Sequence, residues 1–358
     1  MMKPNAIIIT GGALETNSAK TAHGLIRASD RFNILGVIDQ VSAGKNAAEI
    51  LGEKSGNIPV YGSLKDAFDQ GRKKIEYAIV GVAPKGGKLP PAMKDTLKQC
   101  LENGISLISG LHDFLSDMPD LANLAKEKGL TITDIRKPVD RKNLHFWTGK
   151  IFGVKCPIVA VLGMETNMGK RTTAKLLIDT CNKNGVHAEM IFTGQTGWLQ
   201  SGKYGFVLDT TVNDFVSGEL EYWVTKCYDE THPDIIFIEG QSGLRNPSGP
   251  CGAELLLSGG AKYAVLTFSP KRKYFGDNKK AWGPINSVES EIELIKLYGS
   301  KVIALAVHTK GCTSEEAKKY QKEYEEKTGL PVLLPLEKGV KEIMPVIKEL
   351  VSKHEVTT

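Results

Sequence analysis

Nothing in this sequence approaches the roughly 20 consecutive apolar residues that cross a bilayer; its denser apolar clusters, at residues 7–9 and 235–238, are a fraction of that length. The opening residues, MMKPNAIIITGG, hold neither the apolar stretch nor the cleavage signal of an export segment, so the expectation is a cytoplasmic chain. The six cysteines (Cys100, Cys156, Cys181, Cys227, Cys251 and Cys312) show no CxxC spacing, which argues against a zinc site and against a disulfide framework. Charge of one sign is also scarce: 46 Lys and Arg against 41 Asp and Glu leave +5 over 358 residues, too thin for the basic face of a nucleic-acid binder. Missing too is a G-x-G-x-x-G turn in the first half, where Gly11 and Gly12 are adjacent and the next glycine is Gly24. A bound NAD is therefore not expected there, although Asp39 ends the second expected strand, where an acid would meet a ribose.

What is present is an alternation of short apolar runs and amphipathic stretches. AIIITGG, NILGVID, IPVYGS, YAIVGVAP and ISLISGL read as strands, separated by segments such as LKDAFDQGRKK and PAMKDTLKQCLENG that read as helices. That pattern is the signature of βαβ units and a parallel sheet. Residues 1–140 therefore predict a Rossmann-like N-terminal domain. Residues 141–155, poor in helical periodicity, predict a connector. Residues 156–358 predict a second α/β domain, with strands in PIVAVLG, HAEMIFTG, DIIFIEG, KYAVLTFS, KVIALAVH and LPVLLPL, and helices at 170–184, 213–229, 287–298, 314–328 and 338–353. No internal repeat of fixed period is visible.

The strongest local signal is PIVAVLGMETNMGKRTTAKLL: a buried strand, a loop from Gly163 through Met164, Glu165, Thr166, Asn167 and Met168 to Gly169, then Lys170, Arg171, Thr172 and Thr173 opening a helix. Glycines let successive N–H groups wrap a phosphate, the helix N-terminus adds partial positive charge, and Lys170 would reach the terminal phosphates. The spacing departs from G-x-x-x-x-G-K-[ST], because five residues separate the glycines and Arg171 stands between the lysine and the threonines. A plain Gly-rich turn is the competing reading. DIIFIEG places Glu239 at the end of another strand; with Thr172 it would hold Mg²⁺, and otherwise it caps the following turn.

The loop GMETNMGKRTTA together with IFIEGQSGL resembles the dethiobiotin-synthetase-like branch of P-loop proteins. More widely, IIITGGALETNSAKTAHGLIRASDRFNILGVID, YAIVGVAPKGGKLP, TDIRKP, GKRTTA, FTGQTGWL, VNDFVSGELE and IEGQSGL resemble a family of two-domain P-loop proteins built on an uncharacterised domain. The resemblance implies a Rossmann-like parallel sheet followed by a P-loop NTPase-like three-layer α/β domain. It also implies a role in amino-acid metabolism, some members being D-glutamate N-acetyltransferases that use acetyl-CoA. Beyond Leu244 the chain reads RNPSGPCGAELLLSGG, a departure from the His-Pro-containing continuation of many relatives, and the acceptor stays open.

Acetyl-CoA and ATP both present a diphosphate, so the loop by itself does not choose between them. An acetyltransferase would anchor the CoA pyrophosphate, with Glu239 or Asp214 removing the amine proton. An ATP- and Mg²⁺-dependent ligase joining a carboxylate to an amine is the alternative, and a nucleotide-gated regulatory module the third reading. For the small-molecule acceptor the candidates are Gln195 and Thr196 in TGQTGWL, shielded by Trp198, and Gln241, Ser242, Arg245 and Asn246 in the 240–254 loop. Arg245 would grip a carboxylate as a fork. Cys251 is a nucleophile only if something activates it, and Asp214 equally suits a helix N-terminus. In the first half, Lys20, Thr21, His23 and Arg27, or the VGVAPKGGKLP loop facing Arg136, would serve an anion. KRKYFGDNKK, at residues 271–280, reads as a solvated loop whose Arg272 would meet the 3′-phosphate of CoA. A homo-oligomer is expected, since edge strands of such sheets often pair across a two-fold.

Overall fold

The computed structural model describes residues 3–52, 56–70, 73–200 and 202–355. The chain divides into two compact units: one runs to Pro138 and also takes Gln195–Gly202, the other comprises Val139–Gly194 and the chain from Lys203 onward. Among the described residues no helix is long and apolar enough to cross a membrane.

The first unit is a six-stranded parallel sheet of β1 (Asn5–Ile9), β2 (Asn33–Ile38), β3 (Val60–Tyr61), β4 (Tyr77–Val80), β5 (Ser106–Ser109) and β6 (Ile132–Asp134), in the order β3-β2-β1-β4-β5-β6. Strands covered on both faces need apolar residues at every position, and Ala6, Ile7, Ile8 and Ile9 are all buried. β6 escapes sequence reading because it is three residues long, on the sheet edge and only half-buried. The order reverses between β1 and β4, so their carboxyl ends flank a crevice of the kind in which such sheets bind ligands.

The Gln195–Gly202 segment, expected as a loop, forms a short helix at Gln195–Gln200 whose Leu199 is fully buried in the first unit's core. Its C-terminal end caps the Lys20–Arg27 helix. The Gln200 amide nitrogen donates to the carbonyls of Gly24 (2.8 Å), which also accepts from the Ala28 N–H, and of Ala28 (3.1 Å), the residue that closes the helix. Arg31 donates to the Trp198 carbonyl at 2.7 Å and also to that of Gly202, and lies 4.0 Å over the Trp198 ring. Gly197 and the β-branched Thr196 give the segment poor helix propensity; tertiary contacts supply what local preference lacks.

The second unit is a seven-stranded parallel sheet: β7 (Ile158–Gly163), β8 (Ala188–Phe192), β9 (Tyr204–Gly205), β10 (Ile235–Glu239), β11 (Tyr263–Phe268), β12 (Lys301–Val307) and β13 (Val332–Leu333), ordered β13-β12-β11-β7-β10-β8-β9. Helices at Lys170–Lys183, Asn213–Thr231, Val288–Leu297, Ser314–Thr328 and Met344–Glu355 complete the layers. The Ser314–Thr328 helix is bounded as its residues dictate, by a capping box between Thr313 and Glu316 and by left-handed Gly329. The last helix starts six residues later than the periodicity predicts, after a turn at left-handed Gly339 and a 3₁₀ turn at Lys341–Ile343.

The segment read as a connector is packed into this unit. Two buried glutamates of the Asn213–Thr231 helix hold it: Glu219 accepts from the His145 N–H (2.9 Å), and Glu221 accepts from the Thr148 N–H (2.5 Å), the Thr148 hydroxyl (2.7 Å) and the Ile151 N–H (3.2 Å). Burial would raise the Glu221 pKa, but the donors from Thr148, Ile151 and Gly149 outweigh it and hold the carboxylate below its ordinary range. β7 lies between β11 and β10, so the loops leaving the carboxyl ends of these three strands meet on one edge of the sheet.

Candidate functional site

The loop after β7 turns through Asn167 (φ 55°) and Gly169 (φ 84°), both in the left-handed region that asparagine and glycine tolerate, and Gly169 stands at the N-cap of the Lys170–Lys183 helix. Lys170 runs back inside the loop. Its buried ammonium donates to the carbonyls of Glu165 and Ser242, each at 2.7 Å. Burial pulls its pKa down to about 8 against the raising effect of Cys251, Glu165 and Glu239. Ser242, with φ 40°, is a non-glycine residue in the left-handed region, and its conformation aims a carbonyl at this lysine. Gly240 is required where the lysine stem passes, since a Cβ there would collide with the Val161 carbonyl and stand 3.2 Å from Lys170 Cδ.

Glu165 departs from its expected place among the phosphate-binding residues. Its side chain is wholly buried and accepts four hydrogen bonds: from the Thr166 N–H (2.6 Å), the Thr166 hydroxyl (2.9 Å), Asn246 Nδ2 (2.6 Å) and the Gly276 N–H (2.6 Å). A carboxylate so satisfied repels a phosphate and uses up both Thr166 donors. It fastens the 163–170 loop to the 240–254 loop and to the 271–280 run. That run is not simply solvated, because Arg272 donates to the Thr166 carbonyl at 2.7 Å while Lys271 pairs with Glu316 at 2.5 Å. Met168 is buried in the apolar core, which leaves only its backbone for a ligand; Thr173 is buried, Arg171 and Thr172 half-buried and Asn167 exposed.

Glu239, at the end of β10, is buried and accepts from the Thr193 N–H at 3.2 Å, while its backbone carbonyl accepts from the Thr193 hydroxyl at 2.6 Å. Burial raises its pKa to about 6, opposed by the charges of Arg171 and Lys170 and by the N–H groups of Thr193 and Gly194. Gln241 donates to the Thr193 hydroxyl at 3.0 Å. Thr193 is thus the hub of the Glu239 end of the site; the signal for it was a polar residue closing a strand, in IFTG. His308 closes β12 in the same way. Its ring carbon Cδ2 lies 3.7 Å from where a Cβ on Gly169 would stand, and burial, with Arg272, Lys310 and Lys170 nearby, depresses its pKa to about 4.

Other expected residues are engaged elsewhere. Arg245 grips a protein carboxylate: it donates through Nε to buried Glu291 at 2.6 Å, with Nη2 at ion-pair distance from the same oxygen, and through Nη1 to the Ser290 hydroxyl at 2.9 Å. The sequence shows the fork but not the buried partner 46 residues away. Asn246 is fully buried as a partner of Glu165, and its Oδ1 accepts from Ser248. Cys251 donates its thiol to Glu254 at 2.8 Å; burial and that carboxylate push its pKa far up, which removes the thiolate a nucleophile needs. Asp214 is exposed on the first turn of its helix, at the positive end of the helix dipole.

In the first unit, Gln195 and Thr196 are buried, the Thr196 hydroxyl 3.4 Å from that of Thr21 and the Gln195 side chain packed over Gly110. Asp39 is fully buried and accepts from the Thr10 hydroxyl (2.6 Å) and from the N–H groups of Leu14 (2.9 Å), Val41 (3.1 Å) and Ser42 (3.0 Å). Those four donors occupy the lone pairs a ribose would need. His23 bonds the Leu14 carbonyl at 2.6 Å, and Arg136 donates to that of Gly110.

Two family models match the chain. Residues 40–138 match a Rossmann-like domain of unknown function, DUF1611_N, and residues 145–344 match the P-loop domain of unknown function DUF1611_C. A protein of Tritonibacter scottomollicae named D-glutamate N-acetyltransferase is 32% identical over 282 residues, covering 77% of this chain and 81% of that protein. One of the same name from a Pseudoalteromonas species is 29% identical, covering 79% and 83%. The crystal structure of a DUF1611 family protein from Anabaena variabilis superposes with a TM-score of 0.86 at 28% identity, over 98% of this chain and 99% of that one. With its two parallel-sheet α/β units in the order the family models describe, the chain belongs to the DUF1611 family.

Proposed function

We propose that this chain is an N-acetyltransferase that moves the acetyl group of acetyl-CoA to the amine of an acidic amino acid such as D-glutamate. The reaction and acceptor class are supported by the names of the two relatives. The choice of donor rests on one observation. Arg171 follows Lys170 directly, in the position that a G-x-x-x-x-G-K-[ST] loop gives to the hydroxyl holding Mg²⁺, and its positive charge acts on Glu239. The carboxylate that would bind a metal therefore already faces a fixed cation. A diphosphate that stays intact needs only charge compensation, which Arg171, Lys170 and the helix N-terminus supply. With a pKa raised to about 6, Glu239 is placed as a proton acceptor at neutral pH.

In this mechanism Gly163, Gly169 and the opening turn at Thr172 and Thr173 hold the pyrophosphate, and Lys170 leaves the carbonyls of Glu165 and Ser242 to meet it. The neutral amine attacks the thioester carbonyl, Glu239 takes the amine proton as the C–N bond forms, and the C–S bond breaks to release the CoA thiolate, which takes up a proton. Gln241 orients the acceptor. In the test, acetyl-CoA and D-glutamate are mixed with the protein, released thiol is followed with a disulfide dye, and N-acetylglutamate is identified by mass. Glu239→Gln is expected to lower kcat at least about 100-fold with little change in acetyl-CoA affinity, and Lys170→Ala to weaken that affinity. Calorimetric binding of ATP·Mg²⁺ with acetyl-CoA silent would replace this reading with the ligase, Thr172 and Glu239 then holding the metal.

A further inference from the structure

Residues 271–280 carry five basic side chains against the single acid Asp277, which is four of the five net positive charges of the whole chain. Two of the five are engaged: Lys271 pairs with Glu316, and Arg272 donates to the Thr166 carbonyl and lies 3.7 Å from Asp277. Lys273, Lys279 and Lys280 are exposed and, among the described residues, pair with no carboxylate. The run folds back on itself. Asn278 accepts from the N–H groups of Lys273 (2.8 Å) and Tyr274 (2.9 Å), and the Phe275 N–H donates to the Gly283 carbonyl at 3.1 Å. Gly276, Asp277 and Asn278 all lie in the left-handed region, a strained conformation for the two that are not glycine. Trp282 is laid on this turn. Its ring carbons stand 2.5 Å from where a Cβ on Gly276 would be, and Lys279 Nζ lies 5.6 Å from the ring centre, yet 41% of the tryptophan is open. The N–H of the same Gly276 meets Glu165 at 2.6 Å, so a single residue joins the ring and its lysines to the 163–170 loop.

Building on acetyl-CoA as the donor proposed above, we infer that Trp282 stacks the adenine of CoA and that Lys279 and Lys280, with Lys273, bind its 3′-phosphate. Backbone outliers collect at ligand clamps, and this one holds an open aromatic ring beside a cation. A purine stacks on such a ring whatever its edge groups, while an ammonium meets a phosphate as a charge-assisted donor. The charge count selects the ligand. A pyrophosphate has Lys170, Arg171 and the helix N-terminus to compensate it, so the three unpaired lysines answer to a further anionic group on the same molecule. CoA carries that group on its ribose, directly after the pyrophosphate; in ATP the phosphates form one chain and the ribose bears none. Arg272, the residue expected at this phosphate, is turned to Thr166 instead. Strand order then gives the donor a direction. The basic run follows β11 and Glu239 ends β10, with β7 and its loop between them, so the adenosine lies on the β11 side and the thioester reaches toward Glu239 on the other.

Calorimetry on the full chain tests this with three probes: acetyl-CoA, acetyl-3′-dephospho-CoA, and inorganic pyrophosphate, which reports on the 163–173 loop alone. The wild type is expected to bind acetyl-CoA at least about 10-fold more tightly than the dephospho form. Replacing Lys279 and Lys280 together by glutamine is expected to abolish that difference by weakening acetyl-CoA only. Trp282→Ala is expected to weaken both thioesters at least about 10-fold and leave pyrophosphate and thermal melting unchanged, and Trp282→Phe to keep most of the affinity. Equal wild-type affinity for the two thioesters overturns the inference, as do variants that bind all three probes like the wild type. Loss of pyrophosphate along with the thioesters in Trp282→Ala overturns it too, since the ring would then be a support for the loop. Each of these results leaves acetyl-CoA standing as the donor. A wild type that binds neither thioester refutes the donor itself, and the inference with it.

Discussion

Replacing Glu239 by glutamine separates what this carboxylate does for the fold from what it does for the reaction. Its pKa rises from 4.5 to about 6 in the folded protein, burial being the largest cause. Folding therefore favours the protonated form, and the stability that form carries is complete below pH 4.5 and lost as pH rises through 6. The shift corresponds to about 2 kcal/mol at neutral pH. Glutamine mimics the protonated acid and keeps an oxygen for the Thr193 N–H, so Glu239→Gln is expected to be more stable than wild type by about 2 kcal/mol at pH 7.5, a rise in melting temperature of about 4–8 °C. At pH 4 the two proteins are expected to melt together. Urea unfolding at both pH values measures the difference, with the acetyl-transfer assay alongside to show the loss of activity. A glutamine variant less stable than wild type at pH 7.5 would refute the reasoning, because it would mean that Arg171 and Lys170 repay the full cost of burying the charge.

Arg245→Ala is expected to lower unfolding stability by about 3–5 kcal/mol, by stranding buried Glu291, with KM for the acceptor unchanged; a large KM effect with normal stability would return Arg245 to the substrate. Cys251→Ser is expected to retain activity, read in the same assay, because the thiol is held protonated against Glu254. Acetyl-CoA binding by calorimetry is expected to weaken above pH 8 as Lys170 loses its proton, and Lys170→Arg to remove that pH dependence. Glu165→Ala is expected to lower the melting temperature by several degrees, since it leaves the Thr166 and Gly276 N–H groups and Asn246 without their acceptor.

The features legible in the sequence were those written in local pattern. Buried strands such as Ile158–Gly163 and Ile235–Glu239 are continuous apolar runs, and the Ser314–Thr328 helix carries its own start and stop signals. Glu239 and Lys170 were visible because strand ends and glycine loops are places where chemistry collects. What could not be seen was partner choice over distance. Nothing near Glu165 says that it will accept from Asn246, 81 residues on, and from Gly276, 111 residues on, or that Arg245 will be occupied by Glu291. The Gln195–Gln200 helix was missed for a related reason, as its stability comes from Gly24, Ala28 and Arg31 and not from its own residues.

That helix carries a consequence for how the protein is made. The first unit's core contains Leu199, and the end of its Lys20–Arg27 helix is capped by Gln200. During synthesis, residues up to Pro138 emerge with that core position vacant and without the Gln200 cap, and the vacancy persists until Leu199 and Gln200 have themselves emerged. By then the strand–loop–helix stretch from Ile158 to Lys183 is already outside the ribosome. Completion of the N-terminal unit thus waits for part of the C-terminal one, and a gene cut after Pro138 would yield a fragment lacking one of its own interior residues.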